Sequence, residues 1–176
     1  MTSTKKDIRK TCLERVSKIA DRSNRSFIMK NEMVELLSSY QNIALFASLE
    51  TEIDTFPLIE ELLKEGKNIY LPKTRGKEMD FYLIHSLDEL VESKDKYKVK
   101  EPSKGNPVDP AIFDIIICPG VAFDRSNNRM GHGQGYYDKY LSRCSVYKIG
   151  LCYKEQLLDE IPTDEHDIKM DRVYAY

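Results

Sequence analysis

The chain predicts an α/β fold, a single three-layer domain over residues 1–176 with a central, largely parallel sheet flanked by helices. Three observations carry this. Short, nearly continuous apolar runs recur, as at Ile43-Ala-Leu-Phe-Ala-Ser-Leu49 and Phe113-Asp-Ile-Ile-Ile-Cys118, and such runs suit strands buried on both faces of a parallel sheet. Stretches of helical periodicity separate them. At 176 residues, burial of ~70% of the unfolded chain's surface supplies one substantial core, whereas two independent domains would be cramped.

In chain order, Thr4 can cap a helix with Asp7 in its first turn and with Ile8, Cys12, Val16, Ile19 and Ala20 at helical spacing. Positions 5, 9, 12 and 16 continue one line, so Lys5 and Arg9 lie beside the packed face and Lys18 and Arg22 point outward. A second helical pattern runs from Phe27 to Leu37, with Phe27, Met33, Val34 and Leu37 as its core residues. After the strand at 43–49, Thr55 is the expected N-cap of a helix with Pro57 in its first turn and Gly66 as its stop. Asn68 to Pro72 resumes as a strand, which completes a βαβ unit with a right-handed crossover. Met79 to Ile84 adds a strand, Leu87 to Val91 a short helix, and the proline-rich 101–110 segment a surface loop. The run at 113–119 is the clearest central strand. It leads through Asn127-Asn128 to a glycine cluster, a helix from about Tyr136 to Arg143, a strand at 147–153, a short turn or helix at 156–158 and an extended end at 173–176.

The composition, 41% hydrophobic and 32% charged, is that of a soluble globular protein, and no apolar run reaches the ~20 residues that span a bilayer. The first residues lack the apolar segment of a secretory signal, so a cytoplasmic location is expected. Cys12, Cys118, Cys144 and Cys152 form no C-x-x-C pair and fit reduced, partly buried thiols. Charge is uneven along the chain: residues 1–30 hold nine Lys or Arg against three acids, which fits either a solvated helix face or an anion partner such as polyphosphate or nucleic acid.

The stretch Arg129-Met-Gly-His-Gly-Gln-Gly-Tyr-Tyr-Asp138 places three of the chain's eight glycines at alternate positions, after a strand and before a helix. Glycine allows positive φ and close approach of backbone N–H groups to an anion, yet the spacing matches neither common phosphate-binding motif. Spacing alone fits a structural turn as well as a ligand loop. Arg129 before it and Asp138 after it add a phosphate fork and a hard oxygen ligand for Mg²⁺, although an acid in a first helical turn also answers the helix dipole.

The segment Cys118-Pro-Gly-Val-Ala-Phe-Asp-Arg-Ser-Asn-Asn-Arg-Met-Gly-His-Gly-Gln-Gly-Tyr-Tyr-Asp-Lys-Tyr-Leu141 resembles the P-G-[LV]-[AG]-F-D-x-x-G-x-R-[LM]-G-x-G-x-G-Y-Y-D pattern of the 5-formyltetrahydrofolate cyclo-ligases, also called 5,10-methenyltetrahydrofolate synthetases. Lys5-Lys-Asp-Ile-Arg9, Ser48 to Thr55 and Asp164 to Asp171 resemble further blocks in the family's order, so the likeness covers nearly the whole chain. It implies an enzyme, a ligase that uses ATP and Mg²⁺ to cyclise 5-formyltetrahydrofolate to 5,10-methenyltetrahydrofolate, releasing ADP and phosphate. A cytoplasmic monomer with no nucleic-acid or membrane partner is the corresponding expectation.

Residue by residue, the resemblance implies that Lys5, Lys6, Asp7, Ile8 and Arg9 together with Arg129, Met130, Gly131, His132, Gly133, Gln134, Gly135, Tyr136 and Tyr137 bind ATP, with Arg129, Lys5 and Arg9 acting on its phosphates. Ala47, Glu52, His132, Gly133, Gln134, Gly135 and Tyr136 are implied for the folate, and Asp138 and Asp167 for magnesium. Three positions depart from the family pattern. Gln134 stands where many members have lysine or glycine, Asn127 replaces a turn glycine but tolerates left-handed geometry, and Ala47 replaces a commonly larger apolar residue.

Overall fold

The computed structural model describes residues 4–176. Thr4 Oγ1 accepts from Asp7 N and the Asp7 carboxylate accepts from Thr4 N, a capping box that starts helix α1 (Lys5–Ser17). Cys12 and Val16 are buried, as their spacing predicts. Because α1 stops at Ser17, its phase does not carry to Ala20, which is exposed, or to Arg22, which opens α2 (Arg22–Leu36). Arg22 therefore points inward, contrary to the periodicity argument: it donates to the Glu50 carbonyl and lies 5.7 Å from the Tyr153 ring centroid. In α2 the inward line is Ser26, Met29, Met33 and Leu37. Phe27, expected in the core, lies about a quarter turn off that line, is 60% exposed, and has Lys30 Nζ over its ring.

Strand β1 (Asn42–Ala44) is shorter than its apolar run. Leu45 N still bonds Tyr70 O, but the following backbone is drawn to Thr55: Thr55 Oγ1 donates to Phe46 O at 2.7 Å and accepts from Ser48 N at 3.1 Å. Thr55 thus stitches the end of β1 instead of capping α3 (Phe56–Lys64) with its side chain. Gly66, at φ +78°, ends that helix segment as expected. β2 (Asn68–Arg75) and β3 (Glu78–Ile84) form an antiparallel hairpin. The short helix expected at 87–91 is one 3-10 turn, Leu87–Glu89, followed by β4 (Leu90–Glu92), which pairs with β5 (Lys100–Pro102). β5 overlaps the start of the predicted surface loop.

β6 (Ile115–Cys118) is buried throughout and passes into a second small hairpin, β7 (Ala122–Asp124) and β8 (Arg129–Met130), which sequence periodicity did not reveal. Its turn is held by Asp124, whose Oδ1 accepts from Ser126 N and Asn128 N at 2.9 and 3.0 Å. Asn127 adopts φ +66°, so asparagine does supply the left-handed residue. Then follow α4 (Tyr136–Leu141), β9 (Tyr147–Cys152), β10 (Leu157–Leu158), which pairs with β7, and β11 (Arg172–Ala175).

The main sheet has the order β11-β9-β6-β1-β2-β3, and every neighbouring pair is parallel except the β2–β3 hairpin at one edge. Alternate residues serve two cores. Ile43, Leu45, Ile115 and Ile117 pack with Met29 and Met33 of α2, Leu37 at its end, and Leu58, Ile59 and Leu62 of α3. Ala44, Ile116 and Cys118 pack with Phe81, Phe123, and Tyr140 and Leu141 of α4. Helices therefore cover both faces of a largely parallel sheet, as predicted.

Phe123 sits between two glycines. A Cβ on Gly120 would come 2.6 Å from its Cζ, and one on Gly150 would come 2.9 Å from its Cδ1 and closer still to Cε1. With the ring fully buried, it has nowhere to move. Gly150→Ala is expected to destabilise the fold by about 2–3 kcal/mol, read as a fall of several degrees in the thermal midpoint; an unchanged midpoint would contradict this packing.

Candidate active site

Beyond the carboxyl ends of β1 and β6, a cleft of about 320 Å³ opens where ligands gather in sheets of this kind. The first turns of α1, the segment 46–52 after β1 and the glycine loop between β8 and α4 meet over it, and the β2–β3 hairpin, residues 95–101, Pro119 with Gly120, and Asp164 with Asp167 complete its lining.

Arg129 is the buried centre of the site, its side chain 3% exposed. Nη1 donates to Pro119 O at 2.8 Å, Nη2 lies 3.6 Å from Asp138 Oδ2, and the guanidinium is 5.2 Å from the Tyr137 ring centroid. Gly131 permits this arrangement, since a Cβ there would stand 3.2 Å from Nη1. Arg9 Nε donates to Gly131 O at 2.8 Å and ties α1 to the loop. Gly133 and Gly135 hold φ of +98° and +73°, and Gly135 precedes the first residue of α4 in left-handed geometry. The three glycines are thereby explained separately, one by close approach to a guanidinium and two by positive φ.

Acids line the cleft with Arg129. Lys5 Nζ bridges Asp164 Oδ2 at 2.6 Å and Asp167 Oδ2 at 2.5 Å, and Asp138 Oδ1 accepts from Ile168 N at 3.1 Å. Burial pushes the Asp167 carboxyl up, but hydrogen bonds from Lys5 and Asp164 N outweigh it and hold the group below the usual carboxylate range. On Lys5, burial works against the charge while the two carboxylates work for it, with a net upward shift. Asp138 is thereby held against Ile168, the residue that follows Asp167. Among the described residues no trio of His, Cys, Asp or Glu could hold a metal, so the chain offers two hard oxygen donors and not a closed cage. That set fits Mg²⁺, which takes one or two carboxylates and completes its shell from phosphates and water.

Glu52 also lines the cleft, 6% exposed, with Oε2 accepting from Leu49 N at 2.8 Å and Oε1 3.6 Å from His132 Nε2. Ala47 is buried in the adjoining wall, and Tyr136 spans to the β2–β3 turn, donating from its hydroxyl to Gly76 O at 2.7 Å. Three groups on cleft-lining side chains, Arg129 Nε, His132 Nε2 and the Tyr137 hydroxyl, are buried without a hydrogen-bond partner among the described residues. Burial also drives the Tyr137 hydroxyl well above its usual titration range, so it stays a neutral donor. Unpartnered buried polar atoms converging on an open cleft are what a site for a polar ligand requires.

The structure brings together Lys5, Arg9, Ala47, Glu52, Arg129 through Tyr137, Asp138 and Asp167. It does not bring Lys6, Asp7 or Ile8 to the cleft. Lys6 and Asp7 are exposed, the Asp7 carboxylate being committed to Thr4, and Ile8 packs beside Val121, Ala122 and Met130. The helical turn that aims 5 and 9 at the cleft turns 6 to 8 away from it. Sequence reasoning missed Thr74 and Met79 from the β2–β3 hairpin, Asp95, Tyr97 and Val99 from the segment joining β4 to β5, and Glu101 from β5. Tyr97 packs on His132 with ring centroids 5.2 Å apart. The available signal was the alternation in Lys94-Asp-Lys-Tyr-Lys-Val-Lys-Glu101, whose intervening residues face the cleft.

Known proteins resemble this chain over nearly its whole length. The sequence pattern of the 5-formyltetrahydrofolate cyclo-ligase family matches residues 1–175. The 5-formyltetrahydrofolate cyclo-ligase of Mus musculus is 32% identical, covering 98% of this chain and 94% of its own. The probable 5-formyltetrahydrofolate cyclo-ligase of Schizosaccharomyces pombe is 34% identical, covering 97% and 94%. The solved structure of the Aquifex aeolicus 5,10-methenyltetrahydrofolate synthetase superposes with a TM-score of 0.79 at 33% identity, covering 96% of this chain and 88% of that one.

Proposed function

The chain belongs to the 5-formyltetrahydrofolate cyclo-ligase family, whose members are ligases, and from that premise we propose that its cleft holds ATP and 5-formyltetrahydrofolate side by side. The observation that carries this reading is the convergence of Arg9, Arg129, Asp138 and Asp167 on the same cleft as Glu52 and His132, with the glycine loop between them. One end has the charges a metal-bound triphosphate needs. The other has a sheltered carboxylate suited to the adjacent N–H donors of a pterin.

In the proposed reaction, the formyl oxygen of the folate attacks the γ-phosphorus, and the bond from that phosphorus to the bridging oxygen breaks, releasing ADP. The oxygen that was a poor leaving group now leaves as phosphate. N10 attacks the formyl carbon, loses its proton, and the C–O bond breaks with its electron pair on phosphate, which closes the ring. Arg129 and Arg9 offset charge on the transferring group, and the backbone of Gly131 to Gly135 approaches the phosphates with no Cβ in the way of three residues. Glu52 orients the pterin, His132 and Tyr136 border the folate, and Ala47 with Tyr97 walls it. Asp138 and Asp167 would hold Mg²⁺, which when bound neutralises phosphate charge and fixes its orientation. Among the described residues no helix is long and apolar enough to cross a membrane, and a monomeric cytoplasmic enzyme with no nucleic-acid partner is the reading we adopt.

A coupled assay tests it. Phosphate release from ATP is expected only when 5-formyltetrahydrofolate and Mg²⁺ are present, in step with the near-ultraviolet absorbance of the methenyl product. ATP turnover indifferent to the folate would overturn the reading.

A further inference from the structure

Each acid assigned to magnesium is already bound to a cation of the chain. Asp138 faces Arg129 at 3.6 Å, and Asp167 holds Lys5 at 2.5 Å while also accepting from Asp164 N at 2.7 Å on the same oxygen. The two cations differ in freedom. Arg129 is pinned by Pro119 O and stacked on Tyr137. Among the described residues, the Lys5 ammonium bonds Asp164 and Asp167 alone, at the end of a flexible stem in the first turn of α1. Its side chain is 25% exposed and that of Asp167 is 21%, so the pair is partly sheltered but open to the cleft.

We propose that Lys5 is an internal stand-in for the metal, neutralising Asp167 and Asp164 in the nucleotide-free protein and moving onto the phosphates when a triphosphate enters. This rests on the reading of the cleft given above. A divalent ion approaching Asp167 alone meets an ammonium already on the carboxylate, and binds poorly. A triphosphate supplies the stronger anion, draws Lys5 away, and leaves the Asp167 oxygen to the ion arriving with it. Metal and nucleotide therefore bind with positive coupling, and each raises affinity for the other by the same factor.

The test is Mn²⁺ binding to the intact protein without nucleotide, followed by the paramagnetic resonance of the free ion. Lys5→Met is expected to bind Mn²⁺ about tenfold or more tightly than the wild type, within the usual range of such coupling. Lys5→Arg keeps the charge and is expected to bind it as weakly as the wild type. Adding Asp167→Asn to Lys5→Met is expected to abolish the gain. Unchanged Mn²⁺ affinity in folded Lys5→Met, an equal gain in Lys5→Arg, or a gain that survives Asp167→Asn would each overturn the proposal. Folate-dependent phosphate release by the wild type tests the reading of the cleft separately, so the two fail in distinguishable ways.

Discussion

Arg129→Ala is expected to lower kcat/KM for ATP by about a thousandfold, the scale seen when a preorganised group facing transition-state charge is removed. The guanidinium is nearly inaccessible, stacked on Tyr137, and oriented by Pro119 O, so it is held in place before any ligand binds. Its Nε is buried without a hydrogen-bond partner among the described residues. Arg129→Lys keeps the charge but cannot at once reach Pro119 O, face Asp138 and stack on the ring, so it is expected to recover only part of the rate, leaving a deficit of about tenfold or more. Lys18→Ala, an exposed change beyond the end of α1, should leave ATP kinetics unchanged. Steady-state kinetics with ATP varied, beside far-ultraviolet dichroism to check folding, decides the matter. A folded Arg129→Ala protein with near wild-type ATP kinetics would sink the assignment.

The same residue shows where sequence could and could not reach. The β6 strand and its carboxyl end were legible because a fully buried parallel strand writes itself as an unbroken apolar run. The glycine loop was visible as a loop, but spacing left its purpose open. Its explanation depends on Gly131 lying against the Arg129 side chain and on Arg9 reaching Gly131 O from another element. Contacts across more than a hundred residues have no local periodicity. The β7–β8 hairpin was missed for a related reason: strands of three and two residues are too short to establish a pattern, and Asp124 holds their turn through side-chain bonds. Thr55 does occupy the N-cap position of α3 and Arg22 opens α2, but their side chains serve another purpose: each makes a tertiary bond to the chain just before Glu52, at Phe46 O and at Glu50 O. Both departures therefore fall on the segment that presents Glu52 to the cleft.

That presentation makes Glu52 the sharper test of the folate end. Glu52→Ala is expected to lower kcat/KM for 5-formyltetrahydrofolate by about a hundredfold, near 3 kcal/mol, while the KM for ATP stays within about twofold. The carboxylate is almost wholly buried and spends Oε2 on Leu49 N, so Oε1 is the oxygen turned toward His132 and the cleft. A pterin edge with adjacent N–H donors needs an acceptor there, and water cannot replace it in a sheltered wall without loss. Glu52→Gln keeps the size and can keep the Leu49 bond through its carbonyl, but it then turns an N–H₂ donor toward the substrate's donors. It is therefore expected to behave like Glu52→Ala, because the defect is one of hydrogen-bond polarity and not of volume. If Glu52→Gln instead retains wild-type folate kinetics, the carboxylate serves the 49–52 turn alone and the pterin must be read by another group. A parallel loss for ATP and folate would point to disorder of the 46–52 segment, which Ser48→Ala, weakening only the Thr55 stitch, would reproduce.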